Sequence, residues 1–374
     1  MSGARHLYVH LPFCAYRCGY CDFVTLVGRR GQHAAYTDAV LAELELERPL
    51  LAGELDTVFL GGGTPTFLEA QSLARLLDVL PAAEELTIEA NPETITPELA
   101  RCLRLHGVTR VSLGAQSFQP HLLEVLERRA TPDAVRRAFY HLRDASFDNI
   151  SLDLIYGIPG QSAADLERDL EAAIALEPEH LSLYELEAKP GTRFTHAHGA
   201  ELSRQAEAME HYLERVVHVL RSAGYRWYET ANFCLEPGRA GGRDLRSRHN
   251  LAYWQGRDYL GLGIGAVSTI ADRRWRNAPR LRPYLEALAA GRRPPREVEP
   301  LPPDVRVRER ALLGLRLDLP LALGSVDSAL DHDALARMQA LALVERRGEN
   351  GSGTIALTER GRFLGDAVAA ELIA

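Results

Sequence analysis

The sequence predicts an α/β protein: a partial, open β/α barrel of six units, (β/α)6, joined to a small C-terminal α+β module of winged-helix type. Three observations carry that expectation. Short apolar runs alternate with amphipathic stretches over the first half of the chain, the pattern of parallel βαβ units. Chemistry-bearing residues fall at or just after the apolar runs, where the working ends of barrel strands lie. From about Pro279 to Pro303 the composition turns to proline and arginine, and a shorter region with a different rhythm follows.

In chain order, strands are expected over Leu7–His10, Thr57–Leu60, Leu86–Glu89, Val111–Gly114, Ile150–Leu154 and His180–Tyr184. Amphipathic helices are expected over Tyr36–Leu46, Leu73–Leu80, Pro97–Leu105 and Ala163–Leu176. Six units suit an open barrel better than a closed one of eight. The runs Arg292-Arg-Pro-Pro-Arg296 and Pro300-Leu-Pro-Pro303 read as a boundary or extended connector. Beyond them, a helix is expected over His332–Leu341, then a hairpin of Val344–Arg347 and Thr354–Leu357 around Gly348–Gly353, then a helix over Thr358–Leu372. The expected division is 1–235 for the core, 236–300 for a motif-bearing segment and connector, and 301–374 for the C-terminal module.

The chain has 374 residues, 46% of them hydrophobic, enough for a large core and a smaller one. No segment approaches the roughly 18 consecutive apolar residues that span a bilayer. With no apolar leader at the N-terminus, the expected location is the cytoplasm. A net charge of −8 argues against a nucleic-acid partner held by counterion release.

Cys14, Cys18 and Cys21 stand in a C-x₃-C-x₂-C spacing. Three such thiolates can hold three irons of a [4Fe–4S] cube and leave the fourth open to a substrate. Two other readings compete. His10 could complete a Cys₃His zinc site, and a disulfide set is disfavoured by the odd count of 5 cysteines. Gly61-Gly62-Gly63-Thr64-Pro65-Thr66 follows the second strand and would let backbone amides approach a ligand. Glu89, Gln116 and Asp153 close the third, fourth and fifth strands, and Arg128 falls in the helical pattern after the fourth. His196 and His198 are spaced to reach one metal from an apparent loop, and Cys102 and Cys234 receive no role.

The cysteine spacing and its flanks resemble the radical S-adenosylmethionine (SAM) superfamily. Nearly the whole chain resembles the oxygen-independent coproporphyrinogen III oxidases and their relatives, the heme chaperone HemW family. The resemblance implies a [4Fe–4S] cluster on Cys14, Cys18 and Cys21, and SAM contacts at Tyr8, Tyr20, Gly62, Gly63, Thr64, Glu89, Gln116, Arg128 and Asp153. Some of these correspond, in the oxidase, to a second SAM.

Three departures separate the chain from the oxidase pattern. Phe23 stands where the oxidase has a further cysteine, only 13 residues precede Cys14, and His249-Asn250-Leu-Ala-Tyr253-Trp254 fits the H-N-x-x-Y-W signature of the heme chaperones. A histidine can ligate heme iron, and Tyr253 and Trp254 can pack on a flat macrocycle. The resemblance therefore implies heme binding at His249, Asn250, Tyr253 and Trp254, and delivery of heme to an acceptor hemoprotein, such as a respiratory one. It also implies a reductant protein such as flavodoxin or ferredoxin, and it is compatible with a homodimer and with transient membrane contact. The alternatives are coproporphyrinogen III oxidation to protoporphyrinogen IX and, less favoured, radical SAM modification of RNA.

Overall fold

A computed structural model describes residues 3–373 apart from 188, 190–191 and 349–352, with the backbone alone for 202–208. The six expected strands form: β1 (His6–Leu11), β2 (Leu55–Gly62), β3 (Ala83–Ala90), β4 (Arg110–Gln116), β5 (Ile150–Tyr156) and β6 (His180–Glu185). They lie side by side in chain order, all parallel. The connecting helices are α1 (His33–Glu47), α2 (Ala70–Val79), α3 (Pro97–Leu105), α4 (Pro120–Val125), α5 (Pro132–Asp144) and α6 (Ala163–Ile174). Local chemistry starts several of them. Thr96 and Thr131 cap α3 and α5 ahead of a first-turn proline, and Ser162 forms a capping box with Asp165 on α6.

Alternate strand residues Leu7, Val9, Val58, Leu60, Ile88, Val111, Leu113 and Leu152 are buried in one continuous core with the helices. The other alternate set faces the barrel interior and is largely polar, including Glu89, Ser112, Asp153 and Ser182. Because side chains alternate with period two, these polar residues come into line across neighbouring strands: Glu89 opposite Ser112, Gly114 opposite Asp153, Asp153 opposite Ser182.

The sheet runs further than the sequence pattern indicates. After α7 (Arg193–Ser222) come β7 (Tyr225–Trp227), β8 (Asn232–Leu235), α8 (Arg248–Trp254), β9 (Tyr259–Leu262), β10 (Val267–Ile270), β11 (Arg273–Asn277), α9 (Leu281–Ala289) and β12 (Arg296–Pro300). The twelve strands are ordered β12-β11-β10-β9-β1-β2-β3-β4-β5-β6-β8-β7, and β9 pairs parallel to β1 as a seventh parallel strand. The sheet does not close into a barrel among the described residues.

The proline- and arginine-rich stretch is therefore not an extended connector. Pro283 lies in the first turn of α9, where no amide donor is required. Arg293 and Arg296 both reach Glu47 of α1, at 2.9 and 2.5 Å, which ties the stretch down. His196 and His198 also differ from expectation: they lie in α7, two residues apart on a helix, and so point to different sides rather than toward one metal.

The C-terminal module follows α10 (Pro303–Gly314) and consists of β13 (Leu321–Ala322), α11 (His332–Ala340), β14 (Val344–Arg347), β15 (Thr354–Leu357), α12 (Glu359–Phe363) and α13 (Gly365–Leu372). It has its own core, which includes Leu315, Leu323, Leu335, Ile355, Val368 and Leu372. The expected β14–β15 hairpin forms in register, although residues 349–352 of its turn lie outside the described residues. The last helix breaks at Leu364, between Gly361 and Gly365. Gly361 is required there because a Cβ would strike the Leu343 carbonyl oxygen. Among the described residues no helix is long and apolar enough to cross a membrane.

Candidate functional site

Chain direction brings the three cysteines to one end of the parallel strands. Phe13–Cys14 leaves β1 and pairs with Leu26–Val27, which pins the loop bearing Cys18 and Cys21 over the strand ends. All three thiols line one cavity of about 420 Å³. Thr64 Oγ1 lies 3.5 Å from Cys14 Sγ, and Arg128 Nη1 lies 3.7 Å from Cys18 Sγ. Burial pushes the Cys14 thiol up to about 11 and raises Cys21, and the neighbouring thiols push in the same direction. A thiolate set here thus needs positive charge to form.

Among the described residues, no three or more His, Cys, Asp or Glu are gathered tightly enough for a single metal ion. His10 is also committed: its Nδ1 meets Tyr8 Oη at 3.0 Å and its Nε2 meets the Val24 carbonyl at 2.8 Å. The Cys₃His alternative therefore has no free histidine at His10.

The same cavity is lined by Tyr20, Gly62, Gly63, Thr64, Glu89, Gln116, Arg128 and Asp153. Gly62 sits at φ 110° and donates its amide to Glu89 Oε2 at 2.9 Å. Its glycine identity is set first by the protein: a Cβ would lie 2.4 Å from the His10 ring, and one on Gly63 would lie 2.7 Å from the Pro12 carbonyl. Burial, with Asp153 nearby, pushes the Glu89 carboxyl up to about 7. Asp153 is also raised by burial, against hydrogen bonds from Ser182, Ser112 and Ser151. Gln116 takes φ 66° at a bulge in the β4–β5 ladder, a backbone strain concentrated at the cavity wall.

Arg128 is not helical. It follows Glu127 at φ 54° in the turn after α4, which aims it back across the strand ends. Its Nη2 donates to Asn91 Oδ1 at 3.0 Å and to the Gly114 carbonyl at 2.8 Å. Tyr8 stands apart from the cavity lining and stacks on Phe59, with ring centroids 6.1 Å apart.

The H-N-x-x-Y-W segment is split by the fold. His249 is buried at 1% exposure against the interior-facing residues Thr57 and Phe59 of β2, its Nδ1 at 2.7 Å from Thr57 Oγ1 and its Nε2 at 3.0 Å from Tyr253 Oη. With both ring nitrogens engaged and the ring stacked on Phe59, this geometry offers no free lone pair for an iron. Burial also lowers its pKa to about 3, so the ring is neutral.

Asn250, Tyr253 and Trp254 instead line a second cavity, of about 990 Å³, between the barrel and the C-terminal module. Its walls include Tyr156, Tyr184, Trp227 and Phe363, together with Arg274, Arg306, Arg316 and Arg362. Tyr184, Glu185, Glu187 and Asn250 line both cavities and so form the partition between them.

Several cavity residues escape motif reasoning. Asn91 bridges Thr64 Oγ1 and Arg128. Arg110, at 2% exposure, is the cation facing Glu89 and Asp153 from within the barrel, its Nη2 3.2 Å from His180 Nδ1. Ser112 and Ser182 hold Asp153. The available signal was the two-residue period along β3 to β6, which puts Ser112 opposite Glu89 and Ser182 opposite Asp153; Arg110 pairs with Thr87, and Asn91 lies just past the end of β3. Cys102 lies on α3, and Cys234 is packed with Tyr228, Leu245 and Leu251; neither lines the cysteine cavity.

Comparison with known proteins agrees with this architecture. Residues 8–173 match the radical SAM superfamily. The chain is 37% identical over 380 residues to a protein of Mycobacterium tuberculosis (strain H37Rv) named heme chaperone HemW, covering 98% of this chain and 94% of that one. A Bacillus subtilis (strain 168) protein of the same name is 33% identical, covering 83% of each. Among solved structures, coproporphyrinogen III oxidase from Escherichia coli matches with a TM-score of 0.80 over 99% of this chain and 90% of that one, at 24% identity, and so speaks to the fold.

Proposed function

Because the chain belongs to the heme chaperone HemW family, we propose that it binds heme in the large cavity and passes it to an acceptor hemoprotein, with a [4Fe–4S] cluster and SAM in the adjoining one. The observation that carries this reading is the pair of cavities sharing one wall. Three thiols and the strand-end polar residues line the smaller, and aromatic rings and arginines line the larger. Its volume of about 990 Å³ is at the top of the usual range for small-molecule sites.

Cys14, Cys18 and Cys21 would hold three irons of the cluster. When bound, a cluster with one open iron can chelate SAM and pass an electron to it. Arg128, 3.7 Å from Cys18 Sγ, supplies the positive charge that favours thiolates against burial. Glu89, fixed by the Gly62 amide, offers its carboxylate to the amino group of SAM. Arg110 balances Glu89 and Asp153 in the barrel interior.

In the larger cavity Trp254 and Tyr253 provide flat faces for a macrocycle. The His249 ring holds the Tyr253 hydroxyl rather than reaching the cavity itself. A reductant protein is needed for any turnover of the cluster, and the acceptor, a homodimer or a transient membrane contact would engage surfaces outside the two cavities. The expected break at 235 does not separate the two cavities, because the walls of the larger draw on residues before 235, between 236 and 300, and after 300, such as Trp227, Trp254 and Phe363.

The test is an anaerobic titration of the reconstituted full-length protein with heme, beside an assay with SAM and coproporphyrinogen III. A saturable Soret change without catalytic protoporphyrinogen IX is expected. Catalytic product without specific heme binding would replace the reading with the oxidase.

A further inference from the structure

The C-terminal module presents to the large cavity a guanidinium with no carboxylate of its own. Arg362, on α12, stacks over the Trp227 ring, its Cζ 3.7 Å from the centroid, and donates Nη1 to the Trp227 carbonyl at 2.9 Å. Its Nη2 is buried with no hydrogen-bond partner. The carboxylates around it are committed elsewhere: Asp318 to Arg226 at 2.5 Å, Glu359 to Arg221 at 2.8 Å, and Glu229 to Asn232 and the Ala231 amide.

Arg274, Arg306 and Arg316, which share the cavity, are each paired, with Glu309, Asp258 and Asp366 at 2.8, 2.7 and 2.5 Å. Arg257 is exposed at the rim. Burial lowers the Arg362 pKa to about 10, the mark of a cation that has lost water without gaining an anion.

A buried charged donor left unmatched costs free energy that an arriving anion recovers. Stacking on Trp227 occupies one face of the guanidinium, and Nη2 is closed off within the protein, so it is the remaining cavity-lining part of the Arg362 side chain that a carboxylate meets. The surrounding walls are aromatic, so a ligand with a flat apolar body and a carboxylate arm matches both features of the cavity. We propose that Arg362 binds a propionate carboxylate of heme, which makes the C-terminal module part of the cargo site rather than a cap over the barrel.

This inference rests on the heme-binding reading above. No covalent bond is made or broken; the carboxylate accepts a hydrogen bond from the Arg362 guanidinium.

The experiment is an anaerobic titration of the full-length wild type, Arg362→Gln and Arg362→Lys with heme and with heme dimethyl ester, whose carboxylates are masked. Arg362→Gln is expected to weaken heme binding by about tenfold or more, the scale of one charge-assisted hydrogen bond. Arg362→Lys should recover part of the loss. Esterification should weaken binding to the wild type more than binding to Arg362→Gln, because the variant has already lost that partner.

Should Arg362→Gln fail to fold by near-ultraviolet circular dichroism, the ester penalties of the wild type and Arg362→Lys decide. Unequal penalties support the contact and equal ones overturn it. Heme binding unchanged in a folded Arg362→Gln also overturns the inference while leaving the heme reading intact. A wild type that binds no heme at all removes the reading on which the inference stands.

Discussion

Glu89 makes the proposed SAM site titratable near neutrality. Its carboxyl is raised from the ordinary 4.5 to about 7 by burial and by Asp153. A raised carboxyl stabilises the fold in its neutral form; that contribution is complete below 4.5 and is lost as pH rises through about 7. SAM pulls the other way, since its amino group is best received by the ionised form.

With a midpoint near 7, Glu89 is roughly nine-tenths ionised at pH 8 and about one-tenth at pH 6. SAM affinity should therefore fall about tenfold across that span through Glu89 alone. The SAM amino group titrates in the same range, so the comparison is with Glu89→Gln, which keeps the volume and loses the charge. Equilibrium dialysis of SAM against cluster-loaded protein at pH 6, 7 and 8, with iron content checked at each pH, measures both slopes. The wild type should lose about tenfold more affinity than Glu89→Gln between pH 8 and 6. Parallel slopes for the two proteins would refute the role given to this carboxylate.

Further outcomes follow from the same geometry. Replacing Cys14, Cys18 or Cys21 by Ala should each remove most of the iron after anaerobic reconstitution, whereas Cys102→Ala and Cys234→Ala should retain it. Glu43, buried among the Gly263 amide, Asn277 and Tyr284, is pushed from 4.5 up to about 7 by burial. Its stabilisation is present below 4.5 and lost by about pH 7, at most about 3 kcal/mol. Glu43→Gln should flatten that slope in urea unfolding.

His249→Ala should lower unfolding stability by about 2–4 kcal/mol, because it opens a cavity and strands the Thr57 and Tyr253 hydroxyls. Since burial lowers His249 from 6.5 to about 3, its stabilisation is present above 6.5 and shrinks as pH falls toward 3. Trp254→Ala should weaken heme binding and also lower Tm, as Trp254 lines the cavity and packs against the cluster that includes Tyr228, Leu245 and Leu251.

The barrel was legible because its strands alternate cleanly. Val111, Leu113 and Ile150 mark the helix-facing side, and Glu89 and Asp153 close their strands on the other. β9 was not legible: Tyr259–Leu262 is four residues long and carries Gly261, whose missing Cβ makes room for the Val267 carbonyl, too little for a periodic signal. Arg128 was misplaced because the left-handed turn before it uses Glu127 rather than a glycine, the residue that ordinarily announces such a turn. Asn250, Tyr253 and Trp254 of the H-N-x-x-Y-W segment line the large cavity, but the place of its histidine depends on Thr57, 192 positions away, opposite its ring. Nothing local to Arg362 indicates that its side chain, without a carboxylate partner, lines a cavity built largely by the barrel.

The wall common to the two cavities has a thermodynamic consequence. Tyr184 and Asn250 present surface to both, so an occupant that displaces either side chain changes the binding free energy on the far side. Such coupling is reciprocal: whatever factor saturating SAM imposes on heme affinity, saturating heme must impose on SAM affinity. Two dialysis titrations, one for each ligand with and without the other, must return the same factor, and Asn250→Ala should move that factor toward one from both directions. Loading of cargo and readiness of the cofactor would then be a single equilibrium, seen from either side of one asparagine.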